Sequence, residues 1–228
     1  MLESDMHSTN IQSNSDFEPV EQIPLNKHSI YSKVDKMIEV MNVGSVLEVG
    51  CGSGRYLEHL KESGWQITGI DIQNKEKEFI KVIDVENGFE LDKKFDLILA
   101  CEVIEHIVDT EFFLENLSKH LKENGTLIIS TPNLLFWVNR VVMLAGFKPF
   151  FAYADFHVRM FVWKELSKKL ARYFSIVTVK GSHVGIGRNR NVLVGTLASY
   201  IGNFLPKLSA HFIVQLRPLG QNINQIPS

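Results

Sequence analysis

Val46-Leu47-Glu48-Val49-Gly50-Cys51-Gly52-Ser53-Gly54-Arg55-Tyr56-Leu57 reads as a strand, a tight turn and the start of a helix. Its apolar, β-branched half runs into three glycines spaced Gly-x-Gly-x-Gly, and helical spacing resumes at Tyr56, Leu57 and Leu60. Glycine suits such a turn because the backbone must bend sharply and leave room where a Cβ would collide. The N-terminus of the following helix offers unpaired N–H groups and the positive end of its dipole to a polar ligand. A second strand, Ile67-Thr68-Gly69-Ile70-Asp71-Ile72, ends in an acid about twenty residues after the glycines.

The spacing separates this turn from a dinucleotide fingerprint, which wants Gly-x-Gly-x-x-Gly. Here the third glycine comes one residue early, and Glu48 sits inside the strand end. Glu-x-Gly-x-Gly-x-Gly resembles motif I of the class I S-adenosylmethionine-dependent methyltransferases. The resemblance implies a Rossmann-like, seven-stranded, mostly parallel sheet with helices on both faces. It further implies a cofactor cleft lined by Glu48, Gly50, Cys51, Gly52, Gly54, Asp71, Ile72, Asp84, Val85, Cys101 and Glu102. In that cleft Asp71 would accept the ribose hydroxyls. Asp84 would receive the adenine amino group, with a neighbouring backbone N–H donating to the ring. Glu48 would steady the glycine loop or touch the methionine end of the cofactor.

Composition agrees with a globular α/β protein: 228 residues, 45% hydrophobic and 22% charged, enough chain for one substantial core. The net charge of −2 is unevenly spread. Residues 1–30 hold five acids and one lysine, whereas residues 148–190 hold nine Lys/Arg against two acids. Such a basic segment can attract an anionic substrate or surface, or simply be a solvated face. The two cysteines, Cys51 and Cys101, are placed at buried strand ends, which argues against a disulfide scaffold. With no basic-then-apolar leader pattern and no apolar run of membrane-spanning length, a cytoplasmic protein is expected.

Along the chain, residues 1–27 are expected to be a flexible extension, 28–218 the catalytic domain with a lid insertion at about 133–161, and 219–228 a flexible tail. A helix is predicted over 28–42, with Tyr31 either touching the ligand or serving as a packing residue. Further helices are predicted over 54–63, 109–122, 163–173 and 192–204, with Gly125 stopping the third of these five. Strands are predicted over 45–50, 66–72, 79–83, 95–100, 125–130, 174–179 and 212–216, the last antiparallel to its neighbours. Nearly all-apolar strands alternating with helices mean a parallel sheet covered on both faces. Ligands then bind beyond the strands' carboxyl ends, where Gly50, Asp71, Asp84, Cys101 and Thr131 all fall. The apolar run 134–147 reads as a lid helix or an interfacial one, followed by a loop carrying Phe150, Phe151, Tyr153, Phe156 and Phe161.

Methyl transfer from a sulfonium needs alignment, plus a general base or a metal that unmasks the acceptor. Glu102-Val103-Ile104-Glu105-His106 offers both. If helical, positions i, i+3 and i+4 share a face, so two carboxylates and an imidazole converge at the end of the fourth strand. Oxygen-rich ligation by Glu102, Glu105 and His106 suits Mg²⁺ or Mn²⁺. This segment resembles the corresponding motif of the ubiquinone-biosynthesis O-methyltransferases and the wider type 11 and 23 methyltransferase group. It is also similar to the metal-binding Glu-x-x-Glu-His of small-RNA 3′-terminal 2′-O-methyltransferases. The resemblance runs over roughly residues 44–180 and implies a further histidine, matched by His157 in Asp155-Phe156-His157-Val158-Arg159-Met160-Phe161. His106, Glu105 and His157 are therefore the expected catalytic groups, and His59, His120, His183 and His211 are read as surface or packing residues.

The expected activity is O-methylation of a small metabolite, apolar or lipid-linked, with peripheral membrane contact through the lid as an accompanying expectation. RNA is the alternative acceptor, carried by the basic segment with interleaved aromatics, and a non-catalytic binding protein of the same fold is the third reading. The near-neutral charge and lack of an added RNA-binding module count against nucleic acid. No oligomeric state is assigned.

Overall fold

The computed structural model describes residues 30–73, 76–150, 157–182 and 200–219. Seven strands, β1 (Ser45–Val49), β2 (Gln66–Asp71), β3 (Ile80–Val82), β4 (Phe95–Cys101), β5 (Leu121–Pro132), β6 (Phe174–Gly181) and β7 (His211–Pro218), form one sheet in the order β3-β2-β1-β4-β5-β7-β6. All pairings are parallel except those of β7, which runs antiparallel to both β5 and β6. The chain moves outward from β1 to β3 and returns through β4, so the crevice between β1 and β4 is the topological switch point.

The central strands β1 and β4, and β5 from Gly125 on, are buried nearly throughout because both faces are covered. Successive residues feed opposite layers: Leu47, Val49, Ile98, Ala100, Leu127 and Ile129 join one core, whereas Val46, Leu97, Leu99 and Ile128 join the other. The first core is closed by α3 (Thr110–His120) through Phe113, Leu114 and Leu117, and by α5 (Trp163–Leu170) through Leu166 and Leu170. The second is closed by α1 (Ile30–Ile38) through Val34, Met37 and Ile38, and by α2 (Arg55–Glu62) through Tyr56, Leu57 and Leu60. Asp109 caps α3, its carboxylate accepting from the Phe112 N–H at 3.0 Å.

Three expectations needed correction. Helix α3 stops at His120 rather than near 122, and Gly125 lies within β5. Leu121 already pairs with Phe95, and the ladder resumes at Leu97 and Thr126, so residues 122–124 bow out exposed while Lys122 Nζ meets Asp96 at 2.8 Å. The Glu102–His106 segment is not an α-helix. Glu102 takes a left-handed φ of 57° and only Ile104–His106 form a 3₁₀ turn, so the shared i, i+3, i+4 face does not exist. The apolar run 134–147 gives a shorter helix, α4 (Trp137–Leu144). Phe136 and Val138 pack on Ala210, while Val141, Leu144 and Phe147 face solvent, Leu144 at 90% exposure.

Residues 1–27, the aromatics Phe151, Tyr153 and Phe156, His183, most of the helical stretch 192–204 and residues 220–228 lie outside the described residues. Residues 200–204 are helical as expected. Among the described residues no helix is long and apolar enough to cross a membrane. Cys51 and Cys101 are buried and free.

Candidate active site

The glycine turn closes β1 onto α2. Gly50, Gly52 and Gly54 have φ of 68°, 52° and 72°, all in the left-handed region that side chains resist. A Cβ on Gly50 would sit 2.6 Å from Val103 Cγ2, and one on Gly54 would sit 2.8 Å from the Phe79 ring, whereas the space beside Gly52 is open. Asp71, at the end of β2, holds the turn. Its Oδ2 accepts from the Gly52 N–H at 2.7 Å and its Oδ1 from the Gln73 N–H at 2.9 Å. Ile72 beside it is an exposed apolar residue. Asp84 follows β3 and caps a 3₁₀ turn over Val85–Asn87, accepting from the Glu86 N–H and the Asn87 amide, with Val85 half-buried.

Glu48 is 1% exposed. Its Oε1 accepts from the Tyr31 hydroxyl at 3.0 Å, and its Oε2 has no hydrogen-bond partner among the described residues. Burial pushes its carboxyl up to about 8. Tyr31, read from sequence as touching the ligand or packing, thus reaches the end of β1, its ring tilted at 37° against Tyr56 with centroids 4.3 Å apart. Cys51 is pushed up to about 12 by burial, and Cys101 is raised for the same reason.

Across the crevice, the Glu102 side chain is one third exposed and Glu105 only 1%. Glu105 Oε2 accepts from the Thr131 hydroxyl at 3.0 Å, while Oε1 has no hydrogen bond among the described residues and lies 4.0 Å from His106 Nε2. Burial, and then the neighbouring Glu102 charge, push Glu105 upward, so it is the carboxyl of this pair that keeps its proton more readily. The loop bearing His157 is tied to the same residue: the Val158 and Arg159 N–H groups both donate to the Glu105 carbonyl. Arg159 also clamps the carbonyls of Ile107 and Val108. The His106 and His157 rings consequently lie 4.9 Å apart. Glu105, His106 and His157 each present a ligand atom within 4.8 Å of the others.

This group corrects the expected ligand set. Glu102 is not in it, because its carboxylate is drawn elsewhere: Oε1 accepts from the Ser130 hydroxyl at 2.7 Å and Oε2 lies 3.3 Å from His211 Nε2. His211, read from sequence as surface or packing, is mostly buried and lies beside Glu102. Of the other histidines so read, His120 is buried and accepts from the Leu91 N–H, and His59 sits 3.6 Å from Asp35. The expected site residues thus fall around one rim at the strands' carboxyl ends.

Residues 26–173 match the model of the "Methyltransferase domain" family. Among curated proteins, the chain is 32% identical over 120 residues to the ubiquinone biosynthesis O-methyltransferase of Rickettsia conorii, covering 47% of this chain and 42% of that one. It is 36% identical over 100 residues to the protein of that name from Pelagibacter ubique, covering 39% and 42%. The chain thus spans less than half the length of these two relatives. Among solved structures, the N-methyltransferase NodS from Bradyrhizobium japonicum, bound to S-adenosyl-L-homocysteine, superposes with a TM-score of 0.58 at 16% identity, covering 91% of this chain and 94% of that one. That likeness is one of fold. With the family match covering well over half of its residues, on a seven-stranded sheet with a reversed final hairpin, the chain belongs to the methyltransferase-domain family and carries the class I fold.

Proposed function

We propose that the protein moves a methyl group from S-adenosylmethionine to a hydroxyl of a small metabolite, apolar and lipid-linked acceptors included. The carrying observation is that the glycine turn braced by Asp71 and the Glu105–His106–His157 group share one rim of the sheet. The names of the curated relatives support the O-methyl reading. The cleft suits the cofactor's polar groups. Gly52 faces open space, Asp71 has acceptor capacity beyond its two backbone bonds, and the orphan Glu48 Oε2 can take an ammonium hydrogen.

S-adenosylmethionine supplies an already activated methyl, so the protein's task is alignment and removal of the acceptor proton. In this reading the acceptor hydroxyl lies at His106 and His157, whose rings are 4.9 Å apart beside the buried Glu105. Among these, an imidazole takes the proton and the second imidazole orients the hydroxyl. The orphan Glu105 Oε1 and the two imidazoles also fit Mg²⁺ or Mn²⁺, which would lower the hydroxyl's pKa.

Calorimetry with S-adenosylhomocysteine, wild type against Asp71→Ala, tests the cofactor site. Release of S-adenosylhomocysteine with a catechol bearing a short prenyl tail tests the acceptor class, and transfer to an RNA pool that vanishes with salt would replace it by nucleic acid. Turnover lost in EDTA and restored by Mn²⁺ supports the metal; unchanged turnover removes it. For the cytoplasmic, membrane-peripheral reading, co-sedimentation with liposomes should fall in Leu144→Glu, and equal sedimentation would oppose it.

A further inference from the structure

We infer that His211, backed by Ser182, is a positioning residue whose Nε2–H, together with the Ser130 hydroxyl, fixes the Glu102 carboxylate at the β1/β4 crevice. This rests on the transfer reading above and extends it to a part of the chain beyond residues 26–173, the stretch matched by the family.

Four observations converge. First, the reversal of β7 places His211 opposite Pro132, so the start of β7 meets the carboxyl end of β5 at the active rim. Ser182 follows the end of β6 at the same rim, where Gly181 pairs with Phe212. Second, the imidazole is held from both sides, with Glu102 Oε2 at 3.3 Å from Nε2 and Ser182 Oγ at 3.1 Å from Nδ1. An ionised Glu102 only accepts, so in the proposed pairing the ring presents Nε2–H to Glu102 and takes the Ser182 proton on Nδ1. Third, Ser182 is itself fixed, 1% exposed with its Oγ accepting from the His211 backbone N–H at 3.1 Å. Fourth, Glu102 occupies a left-handed backbone conformation that costs a non-glycine residue free energy, and its N–H is pinned to Ser130. A strained residue whose carboxylate is gripped by two donors, one of them buttressed by a buried hydroxyl, is a held functional group.

The arrangement separates two carboxylates that sequence reading would pool. Glu105 stays with His106 and His157, while Glu102 is kept apart by His211. Without His211 the Glu102 side chain can swing about its Ser130 bond and invade the neighbouring group. The orientation of Glu102 toward cofactor and acceptor is therefore what His211 controls.

The test uses the full chain and three variants: His211→Phe, which keeps ring volume without a donor, His211→Gln, which restores an amide donor toward Glu102, and Ser182→Ala. Positioning predicts a kcat about 10- to 100-fold lower for His211→Phe on the prenyl-tailed catechol. It also predicts S-adenosylhomocysteine affinity within about 3-fold of wild type, recovery to within about 5-fold in His211→Gln, and a smaller loss in Ser182→Ala. Equal kcat for His211→Phe and His211→Gln, whether both intact or both lost, overturns it. Nitrogen-15 spectra of histidine-labelled protein decide the pairing without any acceptor. A single neutral Nε2–H tautomer for His211, mixed in Ser182→Ala and in Glu102→Gln, is expected, and a mixed tautomer in the wild type overturns it. A wild type that binds no S-adenosylhomocysteine refutes the transfer reading instead, and the spectra still judge the His211–Glu102 contact.

Discussion

Replacing Glu48 by glutamine should remove a pH-dependent penalty that the folded protein carries. The carboxyl is 1% exposed, receives one hydrogen bond and leaves Oε2 unmatched, and burial raises its pKa from 4.5 to about 8. Between those values the unfolded chain has released a proton that the folded chain retains. The folded state is thus the more protonated one, and stability falls as pH rises through this window, levelling once Glu48 also ionises in the fold. Each pH unit of that window costs about 1.4 kcal/mol, so the ceiling over the whole of it is about 5 kcal/mol. For a chain of this size about 1 kcal/mol moves Tm by roughly 2–4 °C, giving a contribution of roughly 3–6 °C per pH unit. Circular-dichroism melts of wild type and Glu48→Gln, taken in steps from about pH 5 to about pH 9, isolate the effect, because every other titrating group is common to both. The two curves should diverge, with the variant increasingly the more stable at alkaline pH. Parallel curves would refute the argument. Saturating S-adenosylhomocysteine should flatten the wild-type slope if its ammonium meets Oε2.

Gly54→Ala places a Cβ 2.8 Å from Phe79 at a φ of 72°, and calorimetry should show S-adenosylhomocysteine binding weakened at least ~10-fold. Asp71→Ala removes the acceptor for Gly52 and should weaken binding by a similar ~10-fold or more, with far-ultraviolet dichroism unchanged. Phe113→Ala, in the core under α3, should lower unfolding free energy by about 3–5 kcal/mol, read as a shift in urea midpoint at constant slope. Glu105→Gln should abolish Mn²⁺ binding measured by calorimetry if that group holds the metal, whereas Glu102→Gln should leave much of it.

Much of the fold is legible because its strands are short, apolar and each followed by a turn signal, and Gly50, Asp71 and Thr131 come out on one rim from topology alone. The local conformation of Glu102 is not legible. Glutamate favours helix, and nothing in Glu102–His106 announces a left-handed residue imposed by bonds to Ser130, far along the chain. The start of β5 at Leu121 is equally hidden, since a helix stop and a bowed strand entry look alike around Gly125. His211 was within reach. An antiparallel last strand begins where its parallel neighbour ends, so a histidine just before Phe212 had to lie at the active rim. Its partner Ser182 carried no comparable signal.

The only two sulfhydryls in the chain flank this crevice, one in the glycine turn and one ending β4. Burial pushes Cys51 up to about 12 and raises Cys101 too, so both thiols should resist oxidants and alkylating reagents while they stay buried. Maleimide capture would then proceed at the frequency with which the rim opens, giving a chemical clock for its breathing that needs no added label.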